Sequence, residues 1–178
     1  MKLPELRTER LVLRAFETAD ASRVQELAGS REVALNTKNI PHPYPPGAAQ
    51  EWIASQNEKL AQGHHNFAID DGELVGCIGL RVQNELERAE IGYWIGKPFW
   101  GRGYATEAAA AIIRYGFEDL NLHRIYAGYF SPRNEKSARV MIKNEMKYEG
   151  TLRQHVKKWD EFVDIVYYGI LREEYGSS

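Results

Sequence analysis

The stretch from Ala89 to Glu107 constrains this chain more than any other part of its sequence. Ile91, Tyr93 and Ile95 alternate there with the residues of the opposite face, which is the period of a β-strand. A proline and two glycines then interrupt regular structure, and the residues from Ala105 to Ala111 are nearly all helix formers. The stretch therefore predicts a strand, a glycine turn and the start of a helix.

The turn itself reads Gly101-Arg102-Gly103. A glycine turn that leads into a helix presents free backbone N–H groups at the positive end of the helix dipole, which favours phosphate binding. A side chain at either glycine would hold an anion away from the backbone. The segment is too short for the dinucleotide fingerprint, and no Gly-Lys-Ser/Thr follows it, so a Walker-type loop is excluded. A tight turn without a ligand explains the local pattern equally well.

Length and composition indicate an ordinary soluble domain. The 178 residues are most simply one domain, 1–178, in which hydrophobic residues make up 43% and charged residues 27%. A net charge of −2 gives no reason to expect nucleic acid as a partner. No apolar run is long enough for a membrane span, and the segment Met1–Glu5 lacks the apolar core of a signal peptide. We therefore expect a cytoplasmic protein.

The lone cysteine, Cys77, cannot form an internal disulfide bond, which agrees with a reducing compartment. It lies between Gly76 and Ile78 in an apolar run, so a buried core thiol is favoured over a nucleophile.

Hydrophobic periodicity predicts an α+β fold with a mixed, mostly antiparallel sheet flanked by helices in three layers. The prolines between Asn39 and Gly47 predict a loop, and Asp70-Asp71-Gly72 predicts a hairpin. The strands are predicted at Thr8–Arg14, Asn66–Asp70, Glu73–Val82, Ala89–Ile95, Arg124–Phe130, Tyr148–Val156 and Phe162–Leu171. The helices are predicted at Thr18–Ala28, Ala48–Gln62, Ala105–Leu120 and Asn134–Met146.

Several blocks with matched order and spacing carry a family resemblance. They are Thr8–Arg14, Glu73–Leu80, Ala89–Ala108, Leu122–Ala127, Asn134–Arg139 and Tyr148–Gly150. Through these blocks the chain resembles the GNAT superfamily of acyl-CoA-dependent N-acetyltransferases, and within it the RimJ/RimL type, which acetylates the N-termini of ribosomal proteins. The general superfamily loop begins with Arg or Gln where this chain has Trp100, and this aromatic variant is similar to the RimJ/RimL type.

The resemblance implies acetyl-CoA as cosubstrate. The strand at Tyr93 to Ile95 would diverge from its neighbour, so that its backbone groups hold the pantetheine arm and one N–H polarises the thioester carbonyl. The loop N–H groups would bind the pyrophosphate, and Arg102 would add charge or simply be solvated. Asn134 would contact the pantetheine arm, cap the following helix, or do both. The implied cofactor-binding residues are Tyr93, Trp94, Ile95, Trp100, Gly101, Arg102, Gly103, Tyr104, Ala105, Thr106, Asn134 and Ser137.

The same resemblance implies direct attack of an amine on the thioester, without an acyl-enzyme. Glu90 is the candidate general base, and the competing interpretation makes it a structural partner of Arg88 or Arg124. Ser137 is the candidate group that hydrogen-bonds the departing sulfur, and the competing interpretation makes it a capping-region serine.

The acceptor pocket would be formed by Asn36 to Pro46, Trp52 and the segment His155 to Asp164. Tyr44 and Trp52 could line an apolar wall, although core packing is favoured for both. Lys157 and Lys158, at the tip of a predicted hairpin, are expected to be solvated. The histidines show no metal-ligand spacing, so no metal is inferred.

Three functions remain open at this stage. The first is acetylation of a primary amine, particularly a protein N-terminus. The second keeps the chemistry but takes a small-molecule amine such as an amino acid, polyamine or antibiotic. The third is a non-catalytic acyl-CoA-binding module. The resemblance leaves the oligomeric state at monomer or homodimer.

Overall fold

The computed structural model describes residues 2–176, and an eight-stranded mixed sheet lies at its centre. The strands are β1 (Leu6–Arg7), β2 (Val12–Arg14), β3 (His64–Asp70), β4 (Leu74–Gln83), β5 (Arg88–Ile95), β6 (Arg124–Ser131), β7 (Lys147–Lys158) and β8 (Glu161–Leu171). Their order across the sheet is β1-β2-β3-β4-β5-β6-β8-β7. Among these strands, β5 and β6 pair in parallel, and the other neighbours are antiparallel.

Helices pack on both faces of this sheet. They are α1 (Ala21–Ala28), α2 (Arg31–Leu35), α3 (Ala48–Ala54), α4 (Gln56–Ala61), α5 (Tyr104–Glu118) and α6 (Glu135–Lys143). On one face, Asn66 of β3 hydrogen-bonds Gln56 of α4 at 2.9 Å. On the other face, Gly116 of α5 lies close to Leu80 and Ile125 of the sheet. The predicted class, a mixed and mostly antiparallel sheet flanked by helices, is confirmed.

The predicted elements are mostly present, and the main differences fall within the first 62 residues. The predicted strand Thr8–Arg14 is a strand only from Val12, because the Thr8 hydroxyl accepts the Leu11 N–H at 2.9 Å and turns the chain. The short helix α2 was not predicted, and Ser30 begins it by accepting the N–H of Val33. Hydrophobic periodicity gives little signal for a helix of five residues.

The predicted helix Ala48–Gln62 is two helices, which meet at Ser55. The Ser55 hydroxyl donates to the backbone oxygen of Trp52 at 2.7 Å, and such local side-chain bonds compete with a continuous helix. The hairpin between β3 and β4 is confirmed, with Gly72 at φ +105°.

The feature that positions the candidate site is a split in the sheet. The parallel pairing of β5 with β6 stops at Ile91 opposite Ala127, although β5 continues to Ile95 and β6 to Ser131. Beyond this point β5 stays paired with β4, and β6 stays paired with β8. The two halves of the sheet therefore separate, and a wedge-shaped gap opens between them.

Candidate active site

The turn before α5 has the backbone that anion binding requires. Gly101 has φ +79° and Gly103, the N-cap residue of α5, has φ +83°. These values lie in the left-handed region, which glycine adopts without strain. The first N–H groups of a helix of 15 residues are therefore exposed at the positive end of its dipole.

A hydrogen-bonded cluster from the N-terminal segment supports this turn. Arg10 donates from Nη1 to the backbone oxygen of Arg102 at 2.9 Å and from Nε to Glu107 Oε2 at 2.7 Å. The Thr8 hydroxyl and the Arg10 N–H both donate to Glu107 Oε1, at 2.6 and 2.8 Å. Burial acts to raise the pKa of Glu107, but these hydrogen bonds dominate and lower its pKa below the ordinary value.

Trp100, Arg102 and Tyr104 direct their side chains onto the protein. Trp100 Nε1 donates to the backbone oxygen of Ile95 at 2.7 Å, and the Tyr104 hydroxyl donates to Asp71. The Arg102 guanidinium lies 5.2 Å from the centre of a phenylalanine ring. Each of these side chains therefore has a partner within the protein, while Trp100 and Arg102 also remain exposed to solvent.

A cavity of about 640 Å³ occupies the gap between β5 and β6. Of the residues predicted from the sequence, it brings together Glu90, Tyr93, Trp94, Asn134 and Ser137. Ile95 and the turn residues Trp100 to Thr106 lie outside its lining.

Glu90 projects into the half of the cavity that faces α1, α3 and α4. Its partner across β4 and β5 is Arg81, with Nη1 and Oε2 3.8 Å apart, and the Glu90 side chain is 34% exposed. The predicted alternative partners are engaged elsewhere, since Arg88 hydrogen-bonds a glutamine and Arg124 pairs with another glutamate. Pairing of Glu90 with Arg88 or Arg124 was therefore wrong, because strand register places Arg81 opposite it instead.

Two hydroxyl groups meet in the half of the cavity nearer α6. Ser137 is 7% exposed, and its N–H donates to the Asn134 carbonyl at 2.9 Å. The Tyr93 hydroxyl lies beside Ser137, and burial, partly offset by that serine, raises the pKa of Tyr93 to about 12. Within residues 2–176 the Tyr93 oxygen, although buried, has no partner at good hydrogen-bond geometry.

Asn134 stands at the N-cap position of α6, but its side chain makes no capping hydrogen bond. The N-cap position predicted for Asn134 is therefore observed, but its backbone carbonyl, rather than its side chain, accepts a hydrogen bond from the first turn. The residue lines the cavity together with Ser137.

Of the residues predicted to form the acceptor pocket, one part lines the cavity and another part lies outside it. The segment from Asn36 to Pro41, together with Tyr44 and Trp52, lines the cavity. Tyr44 and Trp52 also pack against the core, so each residue both lines the cavity and contributes to core packing. None of the segment from His155 to Asp164 lines this cavity. The reason is the path of β7 and β8, whose hairpin tip contacts the loop from Asn36 to Pro46, the proposed acceptor loop, from outside the cavity.

The contact at the tip of the β7–β8 hairpin shows that the expectation of a solvated Lys158 was wrong. Lys158 is only 5% exposed and donates from Nζ to the Ile40 carbonyl at 3.0 Å, whereas Lys157 is exposed as expected. Burial lowers the pKa of Lys158. Lys158 therefore anchors the acceptor loop to the hairpin tip.

Sequence reasoning missed four polar residues of the cavity wall: Lys59, His64, Asn66 and Arg81. Strand alternation could have indicated Arg81, which shares a sheet face with Cys77 and Gly79. Nothing local pointed to Lys59, since its position depends on how α4 packs against β3.

Cys77 is buried, as expected, and burial raises the pKa of its thiol to about 12 while nearby Lys59 opposes this shift. A thiol with this pKa is protonated at neutral pH, so it lacks the thiolate form that a nucleophile needs.

Among residues 2–176, no group of three or more His, Cys, Asp or Glu side chains is arranged to hold a metal ion. In the same range, no helix has the length and apolar character needed to cross a bilayer.

Comparisons with known proteins agree with this geometry. A family model described as an acetyltransferase (GNAT) domain matches residues 10–147. An uncharacterized N-acetyltransferase of Bacillus licheniformis, p20, is 34% identical over 175 residues, which cover 96% of this chain and 97% of that protein. The [ribosomal protein uS5]-alanine N-acetyltransferase of Escherichia coli K12 is 29% identical over 161 residues, covering 85% and 82%.

Among solved structures, a GNAT-family acetyltransferase from Bacillus anthracis superposes with a TM-score of 0.83 at 30% identity. The match covers 96% of this chain and 100% of that one. The resemblance drawn from the sequence is thus confirmed by an independent family match along most of the chain. This chain belongs to the GNAT family of N-acetyltransferases.

Proposed function

We propose that this enzyme transfers the acetyl group of acetyl-CoA directly to a primary amine, and that the amine is a protein or peptide N-terminus. The observation that carries the proposal is the split between β5 and β6. The cavity in that split has a carboxylate, Glu90, on one side and a hydroxyl, Ser137, on the other. A direct transfer needs an acceptor of protons on the amine side and a hydrogen-bond donor on the thiol side.

The described residues fit an extended thioester arm in the gap. Backbone groups of β5 beyond Ile91 are not paired with β6, and an extended ligand can add to such an edge like another strand. Because the Ile95 carbonyl accepts from Trp100, Tyr93 is the main backbone contact that we propose on this strand. The N–H groups from Gly101 to Thr106 would hold the pyrophosphate.

Glu90 accepts a proton from the amine, directly or through water, as the nitrogen attacks the thioester carbonyl carbon. An N–H of β5 near Tyr93 stabilises the developing oxyanion. Ser137 donates a hydrogen bond to the sulfur as the carbon–sulfur bond breaks, and Tyr93 supports that hydroxyl. The sulfur leaves as a thiolate that takes a proton from water, and Glu90 returns the amine proton to water, so the protons balance. Cys77 forms no acyl intermediate because its thiol is buried and protonated.

A protein N-terminus is favoured by the relatives, one of which is named for an alanine of ribosomal protein uS5. A small-molecule amine is the second candidate, because the loop from Asn36 to Pro41 forms the acceptor wall and such loops vary independently of the catalytic motifs. A binding module without activity is the third candidate, and retention of both Glu90 and Ser137 in one cavity argues against it.

The test measures thiol release from acetyl-CoA with two acceptor pools, short peptides with free N-termini and small amines. Release with peptides supports the proposal, and sequencing the acetylated peptides then gives the preferred residue. Release with small amines alone moves the function to metabolite or antibiotic modification. If neither pool gives thiol although acetyl-CoA raises the melting temperature, the binding-module alternative replaces the proposal.

We also propose a cellular location and an oligomeric state. We expect the enzyme to act in the cytoplasm as a monomer or homodimer, without a nucleic-acid partner. Light scattering of the purified protein measures the assembly state.

A further inference from the structure

The acceptor half of the cavity has an unequal set of charges. Three cationic residues contribute to the lining, Lys38, Lys59 and Arg81, whereas Glu90 is the one acidic residue that the described lining contains. An amine acceptor is itself a cation before it loses its proton. A cavity that only attracts amines would be expected to contain more acidic than basic side chains.

Arg81 forms an ion pair with Glu90 but no hydrogen bond to it. Their closest charged atoms are 3.8 Å apart, which is beyond hydrogen-bond distance, and the Arg81 side chain remains 47% exposed. Several of the guanidinium N–H groups are therefore available to a ligand, and a guanidinium binds carboxylate or phosphate with two parallel hydrogen bonds.

Lys59 is the second available cation. Its ammonium lies 5.5 Å from the centre of the Trp52 ring at the cavity wall. Within residues 2–176 it forms no ion pair, and the adjacent Glu58 is exposed and hydrogen-bonds Gln62. The ammonium is thus held against the cavity by an aromatic face rather than by a carboxylate.

His64 lies in the same electrostatic environment. Burial lowers the pKa of His64, and the charges of Arg81 and Lys59 lower it further, so the three basic groups act on one another. The lowered pKa keeps His64 uncharged at neutral pH, so the like charges in this part of the cavity are those of Lys59 and Arg81, and an anion bound between them relieves their repulsion.

We propose that the acceptor carries an anionic group, a carboxylate or phosphate, close to its reacting amine, and that Lys59 and Arg81 bind this group. The inference rests on the proposed acetyltransferase function and narrows its acceptor. Acidic peptide N-termini and free amino acids fit this site. Polyamines and polycationic antibiotics do not, because their additional positive charges would face the same two side chains.

The experiment compares acceptors that differ only in charge. Thiol release is measured with alanine against alaninamide, and with Ala-Asp-Ala-amide against its Asn, Lys and phosphoserine counterparts. We expect kcat/KM for the anionic member to exceed that of its neutral counterpart about tenfold or more, with the lysine peptide lowest. The two series separate an α-carboxylate from a side-chain carboxylate, and the phosphoserine peptide separates phosphate from both. Equal rates throughout, or a preference for the lysine peptide, overturn the inference while leaving the acetyltransferase activity intact.

Variants assign the preference to residues. Lys59→Gln and Arg81→Gln should bring the ratio of anionic to neutral kcat/KM toward one, and Lys59→Arg should retain it. Lys143→Gln is the matched control, because Lys143 is exposed on α6 and outside the cavity. A ratio that survives both glutamine variants assigns the preference elsewhere and overturns the role of these two residues.

A binding measurement keeps the inference testable if no acceptor is acetylated. The protein with bound CoA is titrated by calorimetry with N-acetyl-Ala-Asp-Ala-amide and with its asparagine counterpart. Tighter binding of the acidic peptide supports the anion site even though the proposed activity has failed. Equal binding overturns the anion site itself.

Discussion

At the scale of single residues, the cavity presents a half-exposed carboxylate and a pair of buried hydroxyls on opposite sides of one gap. Glu90 meets water and the acceptor side, whereas Tyr93 and Ser137 are withdrawn from solvent. The two kinds of group suit different roles in catalysis. A solvated carboxylate can accept a proton, and a buried hydroxyl can donate a hydrogen bond.

Replacing Glu90 with glutamine removes the proposed base while it keeps the size of the side chain. We expect kcat to fall by about 10²–10⁴-fold, which is the usual contribution of general base catalysis. The Kd of acetyl-CoA, measured by calorimetry, should stay within about twofold because Glu90 lies on the acceptor side. Glu85→Gln is the control, since Glu85 is exposed in the turn before β5. An unchanged kcat in Glu90→Gln would remove the catalytic role.

Replacing Tyr93 with phenylalanine separates function from stability. The Tyr93 hydroxyl is buried without a well-formed hydrogen bond, and such a group destabilises the fold by about 1–3 kcal/mol. We therefore expect the free energy of unfolding, from urea titration, to stay equal or rise in Tyr93→Phe while kcat falls. If stability drops and kcat is retained, the hydroxyl serves the fold rather than the reaction.

At the scale of elements, the turn before α5 depends on two separate devices. Its glycines allow the left-handed backbone, and the cluster of Thr8, Arg10 and Glu107 ties it to the N-terminal segment. The first device belongs to local conformation, whereas the second joins residues about 100 positions apart and depends on the folded chain.

Gly103→Ala tests the first device. An alanine at φ +83° is strained by about 1–2 kcal/mol, and its Cβ would lie 3.3 Å from Arg10 Nη2. We expect the Kd of CoA to rise roughly tenfold if the turn shifts to relieve that strain. The Kd of pantetheine, which lacks the pyrophosphate, should not change. Gly72→Ala is the matched control, because Gly72 also has a positive φ but lies at the β3–β4 hairpin. Equal effects on both ligands would argue against pyrophosphate binding at this turn.

Glu107→Gln tests the second device through pH. The folded pKa of Glu107 lies below its ordinary value of 4.5, so its ionised form stabilises the fold above that pH. This contribution is lost as the pH falls through the lowered folded pKa. We expect the variant to be less stable than the native protein by about 1–3 kcal/mol at pH 7. The difference should shrink below pH 4.5, as measured by urea unfolding across pH. A difference that is constant with pH would show that the charge of Glu107 is not responsible.

At the scale of the whole molecule, the two halves of the sheet and their loops form one cavity. The split depends on β5 following β4 while β6 follows β8. The acceptor loop is then held by Lys158, which donates to Ile40 across 118 positions of sequence. The acceptor side of the site is therefore assembled from both ends of the chain.

Lys158→Met removes that connection and keeps the bulk of the side chain. A hydrogen bond of this kind is worth about 1 kcal/mol, so we expect the KM for the acceptor to rise by about fivefold. The KM for acetyl-CoA should be unchanged, and limited proteolysis should cut the loop between Asn36 and Pro46 faster. Lys157→Met is the control, since Lys157 is exposed beside it. If both KM values rise equally, Lys158 supports the whole fold rather than the acceptor loop.

Much of the fold could be predicted from local sequence, because strand alternation and helix periodicity are properties of neighbouring residues. The segments around β3 to β6 and α5 were placed within a few positions of their observed bounds. Errors arose where a single side chain redirects the backbone, as at Thr8 and Ser55. Side-chain hydrogen bonds of this kind do not change the hydrophobic pattern, so the pattern could not reveal them.

The sequence by itself determined the family, the glycine turn and the candidate pair Glu90 and Ser137, because these depend on short motifs in fixed order. Only the tertiary structure decided that Arg81 faces Glu90, that Lys59 reaches the cavity and that Lys158 holds the acceptor loop. Strand register sets the first contact, helix packing sets the second, and the third joins residues 118 positions apart, so none of them can be read from the local hydrophobic pattern. The candidate residues for acetyl transfer could therefore be predicted from the local sequence. The position of the basic residues that we propose to select the acceptor could be seen only in the folded structure.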